Sequence, residues 1–186
     1  MNRLALILAA LLASLFMTTA SAQTADQQSF DAVEAKLRGL DLSQVRSLKG
    51  SSMTRTDLRY ARSTAVTRNL PVSLCPSEDG SSCSGNPFGW HHGYLVFVDA
   101  DGNRKREPGE TLLRRHDPFP QTLQLHSTKG RPAVRFRPDG AAWSTNTTFS
   151  ICHGENPAFY RAVVLYGSGR ARVDRQAPGN KAVTCS

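Results

Sequence analysis

The spacing of apolar residues changes near residue 70, from a helical period to the shorter period of β-strands. Upstream of this point the pattern predicts a helix over residues 54–69, which Pro71 prevents from continuing. The apolar face of this helix is formed by Leu58, Ala61, Ala65 and Val66. Its arginines lie mostly elsewhere on the helix; they are Arg55, Arg59, Arg62 and Arg68.

A shorter amphipathic helix is predicted over residues 29–39, before this long one. The apolar positions that indicate it are Phe30, Val33, Leu37 and Leu40. Between the two helices, the run Gly50-Ser51-Ser52 predicts a break.

Downstream of Pro71 the chain contains eight short β-type runs separated by turn residues. The predicted strands cover residues 72–75, 93–99, 111–114, 122–126, 133–137, 147–152, 162–166 and 171–174. A helix followed by many short strands is typical of the α+β class. We therefore expect an N-terminal helix packed on an antiparallel, two-sheet, β-sandwich-like body.

The N-terminus has the pattern of an export signal. Arg3 precedes an apolar run over residues 4–17, and Ala20-Ser21-Ala22 predicts cleavage before Gln23. The apolar run is shorter than the roughly 20 residues of a membrane span, although an uncleaved inner-membrane anchor is the alternative. The expected organisation is a signal peptide over residues 1–22, a polar and helical extension over 23–53, and a head domain over 54–186. The cleaved protein is expected to be periplasmic or secreted, without stable membrane insertion.

Composition adds a strong positive charge, with 23 basic and 15 acidic residues and a net charge of +8. Removal of residues 1–22 takes one arginine and no acidic residue with it, which leaves +7. Such a charge favours contact with a polyanion such as nucleic acid, anionic lipid or acidic glycan. The alternative is that the charge only keeps the protein in solution.

Four cysteines follow the predicted signal, and an even number in an exported chain predicts disulfides. Cys75 and Cys83 flank a polar loop that can fold back, so we pair them, and Cys152 with Cys185 follows by elimination. A zinc site would favour Cys-x2-Cys spacing, which this sequence lacks.

Five sequence segments, in order, resemble the heads of FimT/GspH minor pseudopilins. ARSTAVTRNLPVSLCPSEDGSSC at residues 61–83 is similar to the family's ARSEAxxRN helix end followed by VxLCPSxDGxxC. The other four segments lie at residues 89–103, 108–114, 134–140 and 167–173, with the sequences GWHHGYLVFVDADGN, PGETLLR, VRFRPDG and GSGRARV. The resemblance covers roughly residues 54–175 and implies a head domain that acts with type IV pilus or type II secretion components. It ends at the N-terminus, where the family's prepilin-peptidase site is replaced by the secretory pattern.

The resemblance also implies a binding site. In this family a C-terminal GRxR element is associated with DNA binding, and Gly169-Arg170-Ala171-Arg172 matches it residue by residue. Arg170 and Arg172, two apart on a strand, point to one face and suit phosphate oxygens. We therefore predict sequence-independent contact with the backbone of double-stranded DNA. The predicted contact residues are Gly169, Arg170, Arg172, Arg175 and Lys181.

Several residues could enlarge or replace this arginine surface. Arg161 is a further candidate for it, and Arg135 and Arg137 repeat the same spacing. No aromatic residue alternates with the arginines, so base stacking is not expected. The alternative reading is a solvated strand face whose arginines cover apolar surface.

Metal binding and catalysis are not expected. The segment from Asp99 to Glu110 has the acidic residues of a calcium loop, but Arg104 stands where an EF-hand needs glycine, so we expect a hairpin turn. The five histidines match no ligand spacing and are expected at the surface. No nucleophile elbow or paired carboxylates were identified, so the sequence predicts no catalytic residue, cofactor or metal.

Overall fold

The computed structural model describes residues 42–185. The predicted signal peptide and the predicted helix over residues 29–39 lie outside these residues. Within them, no helix is long and apolar enough to span a bilayer.

The first element of the described residues is a 27-residue helix, α1 (Leu42–Arg68). The predicted break at Gly50-Ser51-Ser52 is wrong, because the helix runs through it. Its polar side chains find acceptors in the preceding turn: the Ser51 hydroxyl donates to the Leu48 carbonyl and the Thr54 hydroxyl to the Gly50 carbonyl, both at 2.9 Å. Gly50 packs closely on Leu123, since a Cβ there would lie 2.9 Å from Cδ1 of that residue. The domain boundary at residue 54 stays a prediction, although the helix is continuous across it.

The helix ends as the sequence indicates. Asn69 adopts a left-handed conformation with φ of 53°, and the Leu70 N–H donates to the Ala65 carbonyl at 3.2 Å. This arrangement satisfies a terminal carbonyl, and Pro71 follows directly.

Eight of the strands form two antiparallel four-stranded sheets. Sheet 1 has the order β3-β2-β1-β5 and sheet 2 the order β4-β6-β7-β8. The strands are β1 (Val72–Pro76), β2 (Tyr94–Val98), β3 (Leu112–His116), β4 (Leu123–Ser127), β5 (Val134–Phe136), β6 (Thr147–His153), β7 (Arg161–Leu165) and β8 (Ala171–Asp174). The predicted α+β class and strands are confirmed. Two short strands, β9 (Gln176–Ala177) and β10 (Lys181–Ala182), form a C-terminal ribbon that was not predicted.

The main core lies where α1 packs on both sheets. Leu58, Ala61 and Ala65 of the helix are almost completely buried, and they pack with apolar residues of both sheets. The small alanines allow the helix axis to approach the strands closely, as dense packing requires. Val66, also predicted for this face, is 49% exposed and lies at the edge of the helix contact.

A buried carboxylate links the helix to sheet 1. Asp57 accepts hydrogen bonds from the Tyr94 hydroxyl at 2.5 Å and from Arg114 Nη1 at 2.8 Å. The Arg114 guanidinium also stacks on Tyr60, 3.6 Å from the ring centre. Burial, together with the Asp57 charge, raises the pKa of Tyr94 well above its ordinary value, so Tyr94 remains a hydrogen-bond donor.

Both predicted disulfides are present. Cys75 in β1 is joined to Cys83, and the intervening loop is ordered by Asp79, which accepts hydrogen bonds from the N–H groups of Ser81 and Ser82. Hydrogen bonds to Ser82 lower the pKa of Asp79 well below its ordinary range. The second bridge, Cys152–Cys185, fixes the C-terminal segment on the outer face of sheet 2.

The histidines are not all at the surface, which corrects the sequence interpretation. His153 is 5% exposed and hydrogen-bonds through Nε2 to the Thr122 hydroxyl at 2.9 Å. His91 and His126 are partly buried, with ring centres 5.6 Å apart. Burial, and then the charge of His92, lowers the pKa of His91; burial, and then the charge of His91, lowers the pKa of His126.

The Asp57 link generates a stability prediction. Asp57→Ala leaves the buried Tyr94 hydroxyl and Nη1 of Arg114 without their acceptor, so we expect a loss of about 2–4 kcal/mol in the free energy of unfolding. Tyr94→Phe removes only the hydroxyl and should cost about 1 kcal/mol. Urea denaturation with the disulfides intact measures both. The matched control is Asp117→Ala, which removes an exposed pair with Arg115 at 3.5 Å; an equal loss there would contradict the role of Asp57.

The histidine pair generates a pH prediction. Because the folded state lowers the pKa of His91 and His126, the unfolded chain binds more protons as the pH falls below about 6.5. The free energy of unfolding should therefore be highest above this pH and decrease between pH 7 and 5. Urea midpoints across this range measure the slope, and His126→Gln should flatten it. An unchanged slope in this variant would show that other groups cause the dependence.

Candidate nucleic-acid interface

A groove of about 790 Å³ lies between α1 and the turn that joins β7 to β8. Its helical wall is lined by Arg55, Arg59, Arg62, Ser63, Val66 and Thr67. Its opposite wall is lined by Tyr166, Gly169, Arg170, Ala171 and Arg172. We call this feature the arginine groove, because it brings together two predicted site arginines and three arginines of the helix.

The helical arginines were missed as site residues. Arg55, Arg59 and Arg62 are spaced by four and three residues, so they lie on one helical face. That spacing was the signal that could have identified them as one surface, but the sequence does not show which face of the helix lies beside β8. Packing of Leu58 and Ala61 into the core turns this arginine face toward the groove.

The groove carries little compensating negative charge. No acidic residue lines it among residues 42–185. In the same part of the chain, Arg172 is the only one of the five arginines in an ion pair, with its Nη2 3.1 Å from Oδ2 of Asp174. Since Arg172 is 52% exposed at its side chain, this pair is solvated and is worth at most about 1 kcal/mol. The groove therefore favours an anionic ligand.

Gly169 lines the groove and allows its strand wall to pack closely on the loop after β5. It is buried, with φ of +77°, and a Cβ would collide with the carbonyl oxygen of Gly140. The same Gly140 carbonyl accepts a hydrogen bond from Arg62 Nε at 3.0 Å. Gly169 thus allows the β7–β8 turn, the loop after β5 and the helix to meet; its contact with DNA remains a prediction.

An exposed aromatic side chain lies close to the arginines, although none alternates with them in sequence. Tyr166 is 42% exposed and lies with its ring centre 5.9 Å from the Arg172 guanidinium carbon. Sequence patterns did not indicate this, because Tyr166 directly follows β7 whereas the arginines lie at the start of β8 and just before it. Antiparallel pairing, with Leu165 opposite Ala171, brings them together.

The other predicted arginine and lysine positions lie apart. Arg175 and Lys181 are exposed but do not line the arginine groove among the described residues. Arg161 is 4% exposed and donates to the carbonyls of Ala158 and Tyr160, so it does not extend the surface. Arg135 donates to the Gly102 carbonyl, and Arg137 pairs with Asp139 at 3.5 Å.

The acidic loop after β2 forms the predicted turn. Asp101 accepts from the Asn103 N–H at 3.0 Å, and Asn103 accepts from the Lys105 N–H at 2.6 Å. The carboxylates of Asp99, Asp101 and Glu110 come within 4.8 Å of one another. Asp99 already accepts from the Ser73 hydroxyl at 2.5 Å, and Glu110 accepts from the Ala100 and Glu107 N–H groups.

A family model described as "Type II transport protein GspH" matches residues 54–169, which is more than half of the chain. The chain belongs to the GspH family. The matched residues include α1 from Thr54 and the strands through β7, as well as the β7–β8 turn up to Gly169. The family model ends directly before Arg170, so Arg170 and Arg172 of this GspH-family chain lie just beyond the matched residues.

The fold is also that of a solved minor pilin. Two crystal structures of the type IV minor pilin FimU of Pseudomonas aeruginosa resemble it, at 25% and 24% sequence identity and TM-scores of 0.53 and 0.52. Each covers 74% of this GspH-family chain, and the match spans 92% and 98% of the respective FimU chains. No curated protein matches. The predicted minor-pseudopilin head fold is thus confirmed.

Proposed function

We propose that this protein is an exported GspH-family head that binds DNA without sequence preference through the arginine groove. The observation that carries the proposal is the convergence of five arginines from two separate elements on a groove lined by no acidic residue among residues 42–185. Guanidiniums make bidentate hydrogen bonds to phosphate oxygens. Two arginine-bearing walls can contact phosphates on both sides of a bound strand.

The anchoring of the groove supports this function. Its helical wall is fixed by the buried core, and its strand wall is held by the contact between Gly169 and Gly140. Neither wall therefore has to fold on binding, which reduces the entropy lost on association. Contacts to backbone phosphates alone would give affinity without sequence selectivity.

Export is supported by the two disulfides, which are typical of oxidising compartments. Family membership and the likeness to a type IV minor pilin support action alongside type IV pilus or type II secretion components. The same likeness favours a second candidate function, in which the head docks on such components and does not bind nucleic acid. The two functions differ in whether the arginines contact phosphate.

Removal of the groove arginines tests the proposal. For the double variant Arg170→Ala plus Arg172→Ala, we expect the Kd for a mixed-sequence duplex to rise at least about tenfold at low salt. The slope of log Kd against log salt should fall by about two, because each lost phosphate contact removes about one unit. Arg55→Ala plus Arg59→Ala should behave similarly. Fluorescence anisotropy with the cleaved protein measures both quantities.

The matched control is Arg115→Ala plus Lys129→Ala, which removes the same charge outside the groove. It should change Kd by less than about twofold, apart from long-range effects that salt screens. An equal loss in the control would attribute binding to net charge rather than to the groove. Absence of duplex and single-strand binding at low salt would overturn the proposal and favour the docking function.

A further inference from the structure

We propose that this site prefers single-stranded DNA to a duplex, because one base of a single strand stacks on Trp143. This inference rests on the proposed function, since it names the form of DNA that the arginine groove holds. It comes from an exposed aromatic side chain that lies beside the groove and has no structural role in the core.

Trp143 is 62% exposed, whereas the other tryptophan of the chain, Trp90, is 1% exposed and lies in the core. Trp90 donates its indole N–H to the Ser127 hydroxyl at 2.9 Å. The exposed Trp143 ring offers a ligand a large aromatic surface to cover. The two tryptophans therefore have different roles, one in packing and one at the surface.

The Trp143 ring is held in place although it is exposed. The preceding residue, Ala142, is fully buried and donates its N–H to the Gly167 carbonyl at 2.8 Å. The ring packs on Gly167 itself, since a Cβ there would lie 2.6 Å from the ring carbon Cε3. Contact on one side, with most of the side chain still exposed, leaves aromatic surface free for a base.

The ring packs on the turn that lines one wall of the arginine groove. Gly167 belongs to the turn that leads to Arg170, and Tyr166 lines the arginine groove on one side of this turn. Tyr166 and Gly167 also line a second groove of about 390 Å³, to which Arg131 contributes. Arg131 donates to the carbonyl of Ser144, the residue after Trp143. Arg131 and the β7–β8 turn, which lines the arginine groove, therefore both contact the segment around the exposed ring.

This arrangement suits a single strand better than a duplex. In a duplex the base faces are stacked on one another, so an exposed indole gains nothing from them. In a single strand a base is free to stack on the ring while arginines hold the neighbouring phosphates, which is the common arrangement in single-strand binding proteins. The surrounding positive charge favours a nucleic acid over a protein ligand for this surface.

The test compares an oligothymidylate of about 20 nucleotides with a duplex of equal length, using the cleaved protein. Trp143→Ala should weaken single-strand binding at least about fivefold and duplex binding less than about twofold. Trp143→Phe should retain most of the single-strand affinity, because it keeps an aromatic face. Phe88→Ala is the control, since Phe88 is an exposed aromatic (41%) outside both grooves. The single strand should also quench tryptophan fluorescence in the unmodified protein, because Trp90 is buried.

The outcomes separate the two proposals. Binding of both DNAs that needs Arg170 and Arg172 but not Trp143, without quenching, would overturn the inference and leave the proposed function intact. Equal losses for single strand and duplex in Trp143→Ala would also overturn it. Failure of either DNA to bind would remove the proposed function itself. Because Trp143→Phe and quenching do not depend on Trp143→Ala folding, the inference stays testable if that variant is unstable.

Discussion

The packing of one continuous helix across two sheets determines the rest of this structure. Burial of Leu58, Ala61 and Ala65 fixes the rotation of α1 about its axis. Asp57 adds a directional contact to sheet 1 that a purely apolar interface would lack. With the rotation fixed, Arg55 and Arg59 face the β7–β8 turn. The charged surface is therefore a consequence of how the core is packed.

The β7–β8 turn, opposite the helix, depends on a second constraint: glycine lies where this turn meets the loop after β5. Gly169 lies against the Gly140 carbonyl, and Arg62 donates to the same oxygen. The Arg62 guanidinium thus joins the helix to the loop after β5 while it lines the groove. That loop carries Trp143, so the same contacts position the arginines and the exposed indole. Charge repulsion among the arginines is tolerable because the groove is open to water, where like charges interact weakly.

The features that were predicted correctly from the sequence are those that neighbouring residues determine. The alternating strands, the end of the helix before Pro71 and the Cys75–Cys83 bridge were predicted because each is decided by near neighbours. The break at Gly50-Ser51-Ser52 was wrong because Leu123 of a distant strand packs against Gly50, and tertiary packing overrides helix propensity there. The ribbon of β9 and β10 has two residues per strand, too few for a periodicity signal.

The site residues show the same difference between what near neighbours determine and what distant segments determine. Arg170 and Arg172 are neighbours in sequence and were predicted together. The helical arginines and Tyr166 joined them only through long-range pairing, which the sequence of either element does not encode alone. A fold shared with a minor pilin at 25% identity does not supply this information either, because function lies in the side chains placed on a fold.

If neutral residues replaced Arg55, Arg59 and Arg62, the helix, the loop after β5 and the β7–β8 turn would still pack together at Gly169. The head would then present a docking surface with two arginines on one wall, which is a weak phosphate site. The distinction between a DNA-binding head and a purely structural one therefore depends on the helical wall, where the family's GRxR element gives no guidance.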